Sequence, residues 1–372
     1  MTGIYIHIPY CKSRCIYCDF VSTTLGQEWQ LRYIQALEKE MAQRCDIGAK
    51  VSARTIYIGG GTPSQLSPEA FGQLMQAIRR HFILTPETEF TLEVNPDDVS
   101  PQFVALLQDS PVNRVSMGIQ SLNDEILQFL RRRHSARQAL EAVDQLQHAG
   151  YENLSLDLIY GLPTQTLPMF VEDVQRILST GAPHLSAYAL QFELGTALWA
   201  MRERGEVQEA DEELSLQCYE SLIQQTQASG LEHYEISNFA RPGFRSRHNS
   251  SYWQGLPYLG FGAGAHSYDG DRTRTANTTD VRAYTRGENV TEEEHLSQEE
   301  RYDERVMLSL RTSEGLSLPR LAQDFGPELQ AHCLRQAQPH LAKGTLKQTG
   351  EALCLTRSGL FVSDAIITDL LA

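Results

Sequence analysis

The sequence predicts an α/β protein: an open, partial (β/α)6 barrel followed by a smaller α+β C-terminal domain. Two observations carry this prediction. Short runs rich in Ile, Val, Tyr and Thr alternate with amphipathic helical patterns through the first half of the chain, and the chemically unusual residues fall at or just after those runs. Six runs read as parallel strands: Ile4 to Ile8, Thr55 to Ile58, Phe90 to Val94, Arg114 to Ile119, Leu154 to Ile159 and Leu185 to Leu190. Between them, Trp29, Tyr33, Leu37 and Met41 recur at helical spacing, as do Phe71, Met75 and Ile78. Ala139, Val143 and Leu146 form a further helical stripe, with Gly150 as its stop signal. Strand-helix units in such a row curve a parallel sheet into a barrel whose functional groups gather at the C-terminal strand ends.

After about Glu193 the rhythm breaks into a mixed region rich in Gly, Ser, Tyr and Asn. From about Ser297 helical patterns return, with a β-like pair at Thr345 to Gln348 and Ala352 to Leu355. Three segments follow: a barrel over 1–195, a region over 196–290 that completes its cavity, and a small domain over 291–372.

Composition sets limits on the function. A chain of 372 residues with 41% apolar content can bury a barrel-sized core and a second, smaller one. Of its seven cysteines, three are clustered and Cys45, Cys218, Cys333 and Cys354 are scattered, which is not a disulfide framework. A reducing compartment is expected. No apolar run reaches the length of a membrane span, and a strand pattern begins by Ile4 without a basic, apolar leader, so the expected location is the cytoplasm. The net charge of −15 argues against a broad nucleic-acid surface and against an RNA-modifying enzyme. The basic run Arg131-Arg132-Arg133-His134 is the exception, and by itself it reads equally as a solvated helix end.

The most informative segment is Tyr5-Ile-His-Ile-Pro-Tyr-Cys11-Lys-Ser-Arg-Cys15-Ile-Tyr-Cys18-Asp-Phe20. Its CxxxCxxC spacing supplies three thiols and leaves one coordination position open. A structural zinc site would call for a second Cys/His pair downstream, and the sequence shows none. A 4Fe-4S cluster fits better, because an iron without a cysteine can take an external chelating ligand. Gly59-Gly60-Gly61-Thr62-Pro63, after the second strand, lets the backbone approach a ligand closely, and it has neither GxGxxG nor GK[ST] spacing. Glu93 is a carboxylate in an apolar strand and needs a partner, either an arginine such as Arg114 or Arg132 or a ligand. Gln120, Arg132 and Asp157 continue the same rim.

The cysteine spacing, with an aromatic at Tyr17, resembles the radical S-adenosylmethionine (radical SAM) superfamily. There the free iron is chelated by the amino and carboxylate groups of SAM, and reduction yields a 5′-deoxyadenosyl radical. The ordered set YIHIPYC, GGGTP, EVNPD, GIQSLND, DLIYGLP, YEISNFA, HNSSYW and GAGAHS spans nearly the whole chain. It resembles the HemN/HemW branch, the coproporphyrinogen dehydrogenases and their relatives. The resemblance implies that Cys11, Cys15 and Cys18 bind the cluster and that Tyr5, Gly60 and Glu93 contact the SAM on it. Tyr17, Gly61, Thr62, Gln120, Arg132 and Asp157 match positions that contact a second SAM in the dehydrogenase or lie beside the first.

Two features divide the branch. The dehydrogenase resembles CxxxCxxCxC, with a fourth cysteine where this chain has Phe20, and carries an N-terminal extension before the first strand. The HemW-type haem chaperones resemble CxxxCxxCxF and carry HNxxYW, which stands here as His248-Asn249-Ser250-Ser251-Tyr252-Trp253. Imidazole is a common haem ligand and aromatic faces pack on porphyrins, so His248 is the candidate haem ligand, and Tyr234, Glu235 and Asn238 are expected to shape the same cavity. The resemblance thus implies a chaperone with a 4Fe-4S cluster, SAM and haem. It would deliver haem to haem-dependent proteins, membrane respiratory enzymes among them, acting at the membrane edge only through those partners. Exposed apolar residues in the small domain would permit a homodimer linked to haem or cluster binding. The alternative is oxygen-independent oxidative decarboxylation of coproporphyrinogen III.

Overall fold

Isoleucine at every second position of the first strand sets the construction of the sheet. Ile4, Ile6 and Ile8 have no exposed surface, while Tyr5 and His7 point to the opposite face. The computed structural model describes residues 2–45 and 50–372. In it, strands β1 (Thr2–Ile8), β2 (Val51–Gly60), β4 (Glu89–Val94), β5 (Arg114–Gln120), β6 (Leu154–Tyr160) and β7 (His184–Ala189) lie side by side in chain order, every neighbour parallel. A two-residue strand, β3 (Phe82–Ile83), pairs with the start of β2. The expected six βα units are therefore present as an open parallel sheet.

The outward faces of these strands are apolar: Ile56, Ile58, Leu92, Val115, Met117, Leu156 and Leu158 are all buried. They pack against crossover helices such as Gln27–Arg44, whose Tyr33, Leu37 and Met41 are fully buried, and Pro68–His81, which buries Phe71, Leu74 and Ile78. Side chains set the helix ends. Ser67 accepts a hydrogen bond from the Ala70 N–H, and Ser135 and Gln138 form a capping box at the start of Ala136–His148. Gly150 follows that helix with φ of +92°, the conformation glycine adopts most cheaply.

The sheet extends beyond the six predicted strands on both sides. β10 (Tyr258–Phe261) pairs parallel with β1, and β11 (His266–Tyr268), β12 (Thr273–Asn277) and β13 (Thr291–His295) continue it antiparallel. On the other edge β9 (Asn238–Ala240) and β8 (Glu232–Glu235) follow β7 antiparallel. These strands are three to five residues long, and their short polar runs escape a periodicity reading. Tyr219, Leu222, Phe239, Phe261 and Tyr284 from this region belong to the same core as the barrel.

A second core gathers Tyr302, Val306, Leu310, Leu321, Phe325, Cys333, Leu353 and Ile366. It lies between helices and a small antiparallel sheet of β14 (Leu316–Ser317), β16 (Ala352–Leu355) and β15 (Leu346–Thr349). This is the smaller α+β domain. No helix among the described residues is long and apolar enough to cross a membrane.

Candidate functional site

The inward face of the parallel sheet is polar, and this is what makes a cavity. Glu93 on β4, Arg114, Ser116, Gly118 and Gln120 on β5, Ser155 and Asp157 on β6, and Ser186 and Tyr188 on β7 occupy alternate positions and line one space of about 1390 Å³. The cysteine loop and the Gly60–Pro63 loop form one wall, and Leu360 to Asp364 of the small domain form another.

Cys11, Cys15 and Cys18 all line this cavity and are partly exposed. The Cys11 Sγ lies 3.5 Å from Thr62 Oγ1, and the Cys15 Sγ lies 3.5 Å from Arg132 Nη1. Gly61 is pressed against this loop: a Cβ there would come within 2.7 Å of the Pro9 carbonyl carbon and 3.0 Å of the Cys11 Sγ. Burial pushes the Cys11 thiol up and the Cys18 thiol up to about 11. Thiolates in so desolvated a place need a cation, which iron supplies. Among the described residues no three His, Cys, Asp or Glu side chains converge as ligands of a single ion. Thiolates that each hold a different iron of one cluster need no such convergence. The donor set fits a 4Fe-4S cluster.

Beside the cysteines, Gly60 sits at φ +113° and its missing Cβ would fall 2.4 Å from the His7 ring. Its N–H donates to Glu93 Oε2 at 3.0 Å, while the Tyr57 hydroxyl donates to Glu93 Oε1 at 2.7 Å. Neither arginine considered from the sequence pairs with Glu93. Burial raises the Glu93 pKa, and these two donors oppose that rise. Arg132 is not part of a solvated helix end. Its Nη2 donates to Asn95 Oδ1 at 2.8 Å and to the Gly118 carbonyl at 2.5 Å, which holds it over Cys15. Arg133 pairs with Asp97 at 2.8 Å. Gln120 holds φ of +72°, a backbone strain located on the cavity wall. Asp157 has one buried oxygen without a partner, and burial pushes its carboxyl up to about 7.

Tyr17, Gly61 and Thr62 also line the cavity, whereas Tyr5 and His248 do not. The Tyr5 hydroxyl is hydrogen-bonded to His7 Nδ1 at 3.0 Å. His7 itself, which the motifs did not nominate as a site residue, ties the two ligand loops together: its Nε2 bonds to the Val21 carbonyl at 2.7 Å and its ring packs under Gly60. His248 is 1% exposed, with Nδ1 2.8 Å from Thr55 Oγ1 and Nε2 2.9 Å from the Tyr252 hydroxyl. Burial pushes its pKa down to about 3, so it is neutral. In this geometry neither ring nitrogen is presented to a ligand. Tyr252 packs edge-on to His248 and Tyr258, and the Trp253 ring lies under Arg311 at 4.9 Å, beside a smaller cavity of about 250 Å³. Of the HNxxYW residues only Asn249 reaches the large cavity. Tyr234, Glu235 and Asn238 lie behind its wall, which Ile236 and Ser237 form instead.

The cavity is not lined by polar strand residues alone: exposed apolar residues stand on it beside exposed charged ones such as Glu209, Asp211, Glu212 and Asp364. Phe20 is 61% exposed, Val362 47% and Tyr188 43%, and all three line it with Leu190 and Phe192. The sequence offered no signal that Tyr188 and Val362, from different domains, would line one cavity.

Comparison with known proteins gives the family and the fold. The model of the radical SAM superfamily matches residues 5–177 and that of the HemN C-terminal domain matches residues 296–362. The chain is 35% identical to the heme chaperone HemW of Bacillus subtilis, covering 98% of both proteins. It is 36% identical to the heme chaperone HemW of Mycobacterium tuberculosis, covering 99% of this chain and 94% of that protein. A mitochondrial protein of Bos taurus, radical S-adenosyl methionine domain-containing protein 1, is 32% identical over 100% of this chain and 87% of its own length. The structure superposes on coproporphyrinogen III oxidase (HemN) from Escherichia coli with a TM-score of 0.85 at 23% identity, covering 100% of this chain and 90% of that one, a likeness of fold.

Proposed function

Since the chain belongs to the radical SAM superfamily and, within it, to the family of the HemW proteins, we propose that it is a haem chaperone that holds haem in the large cavity, beside a 4Fe-4S cluster and SAM, and passes it to haem-dependent proteins. The observation that carries this reading is the size and lining of the cavity. Sites for one small molecule commonly measure about 300–1,000 Å³. At about 1390 Å³, this one has room for SAM and for a second large ligand, and the apolar surface of Phe20, Tyr188 and Val362 in its lining suits the face of a porphyrin.

Cys11, Cys15 and Cys18 hold the cluster in this reading, with Gly60, Gly61, Thr62 and Glu93 around the methionyl end of SAM. Tyr17, Gln120, Arg132 and Asp157 complete the rim. Tyr5 acts from behind, through His7. When bound, the cluster and SAM supply one-electron chemistry. The chain's own part is to keep Glu93 aimed by the Tyr57 and Gly60 donors and to keep Arg132 over Cys15. His248 enters the haem ligand set only if its bond to Tyr252 breaks. The receiving proteins are proposed to include membrane respiratory enzymes, met from the cytoplasmic side, with dimerisation through the small domain on haem binding.

The reading is tested by titrating the purified protein with haem and following the absorbance. Saturable binding supports it, and absence of binding overturns it. Phe20, in place of the fourth cysteine of the dehydrogenase motif, speaks against the coproporphyrinogen reaction.

A further inference from the structure

Arg114 is 1% exposed and among the largest fully buried side chains of the protein. It opens β5 and reaches the floor of the large cavity. Among the described residues its guanidinium has neither an ion pair nor a hydrogen bond, and its Nε is buried without a partner. Two other arginines on the same cavity differ, since Arg132 bonds to Asn95 and Gly118 and Arg133 pairs with Asp97, while Arg311, whose Nε is likewise buried without a partner, stacks on the Trp253 ring. With 47 acidic residues against 32 basic ones, the chain has carboxylates to spare, yet among the described residues none forms an ion pair with Arg114.

The surroundings leave the charge without an ion pair, although it acts on Asp157, whose pKa burial raises and the Arg114 charge lowers to a smaller extent. His184 is held by Ser155 and Tyr234 at 2.8 Å each, and His248 by Thr55 and Tyr252. Both histidines are kept neutral, first by burial and then by the Arg114 charge. Asp157 bonds to Ser116 at 3.4 Å and stands beyond ion-pair distance of Arg114. Ser116, Ser155 and Ser186 add hydroxyls to the same floor. A cation buried in this way is costly until a counter-charge joins it. Its planar fork of donors matches a carboxylate, which it binds through two parallel hydrogen bonds.

We infer that Arg114 anchors a carboxylate of the ligand that enters the large cavity, and, resting on the haem reading above, that this carboxylate is a porphyrin propionate. A second carboxylate of suitable chemistry is the methionyl end of SAM, and the experiment separates the two. The full chain with its cluster reconstituted is titrated with haem, with haem dimethyl ester, whose carboxylates are blocked, and with SAM. The wild type binds haem roughly 10- to 100-fold more tightly than the ester, the range for one charge-assisted pair. Arg114→Gln removes that preference by weakening haem alone, Arg114→Lys retains part of it, and SAM affinity stays unchanged in both.

Equal affinity of the wild type for haem and its ester overturns the inference, and this comparison needs no folded variant. Equal weakening of haem and ester in the variant, or loss of SAM binding alone, also overturns it. If the wild type binds neither porphyrin, the haem reading itself fails and the inference falls with it.

Discussion

The carboxylate of Glu93 accepts a hydrogen bond from the backbone N–H of Gly60 at 3.0 Å, across from β4 to the end of β2. The Tyr57 hydroxyl occupies its other oxygen at 2.7 Å. Glutamine offers one acceptor oxygen and would turn an NH2 toward the second donor. Glu93→Gln is therefore expected to lower stability by about 1–3 kcal/mol, the cost of one orphaned buried donor, and to weaken SAM binding. Denaturant unfolding and a SAM titration check the two effects separately.

Gly60 has a backbone reason and a packing reason to be glycine: φ of +113° and the His7 ring 2.4 Å from the position of a Cβ. Gly60→Ala is expected to cost about 2 kcal/mol or more, since the strained backbone alone accounts for about 1–3 kcal/mol. By displacing His7 it also loosens the cysteine loop that His7 holds at Val21. A lower midpoint of thermal unfolding together with faster loss of cluster absorbance is the expected result; an unchanged midpoint would contradict the geometry.

The pH dependence of stability carries a mark of Asp157. Burial first of all raises its folded pKa to about 7, against an unfolded value near 4. The folded state thus holds this proton more tightly. The stability it contributes is complete below the unfolded value and is lost as the pH rises through about 7. Asp157→Asn, which stays neutral, should gain on the wild type by on the order of 1–3 kcal/mol between about pH 5 and pH 8 in the metal-free protein. A difference that does not change with pH would show that the carboxyl titrates normally.

Much of this was legible in the sequence, for identifiable reasons. The six parallel strands announce themselves because each has a buried apolar face, such as Ile4, Ile6 and Ile8. The cysteine loop and the Gly60 loop follow from local spacing. The added strands on both sheet edges were hidden because they are short and paired over long sequence distances, as Tyr5 with Gly260. The polar lining of the cavity did leave a signal, in Arg114, Ser116, Gly118 and Gln120 at every second position, but only Gly118 and Gln120 lie in a motif, and Arg114 drew attention only as a possible partner of Glu93. What His248 touches depends on Thr55, 193 residues away, and no local pattern encodes that contact.

A haem-ligand role for His248 would first require its bond to Tyr252 to break. Tyr252→Phe removes that bond and keeps the ring. If Nε2 ligates iron, haem binding tightens in the variant; if His248 is a core residue, haem affinity and the position of the main haem band stay as in the wild type. Its burial at 1% exposure, with both nitrogens engaged, predicts the second result.

Haem binding and decarboxylation are told apart on the wild-type protein with its cluster reconstituted under anaerobic conditions. One sample is titrated with haem; a second receives coproporphyrinogen III, SAM and a reductant, and is assayed for the decarboxylated product. Saturable haem binding without product is the predicted outcome. Product formation without haem binding would contradict the account and make Phe20, where the dehydrogenase motif has its fourth cysteine, compatible with decarboxylation.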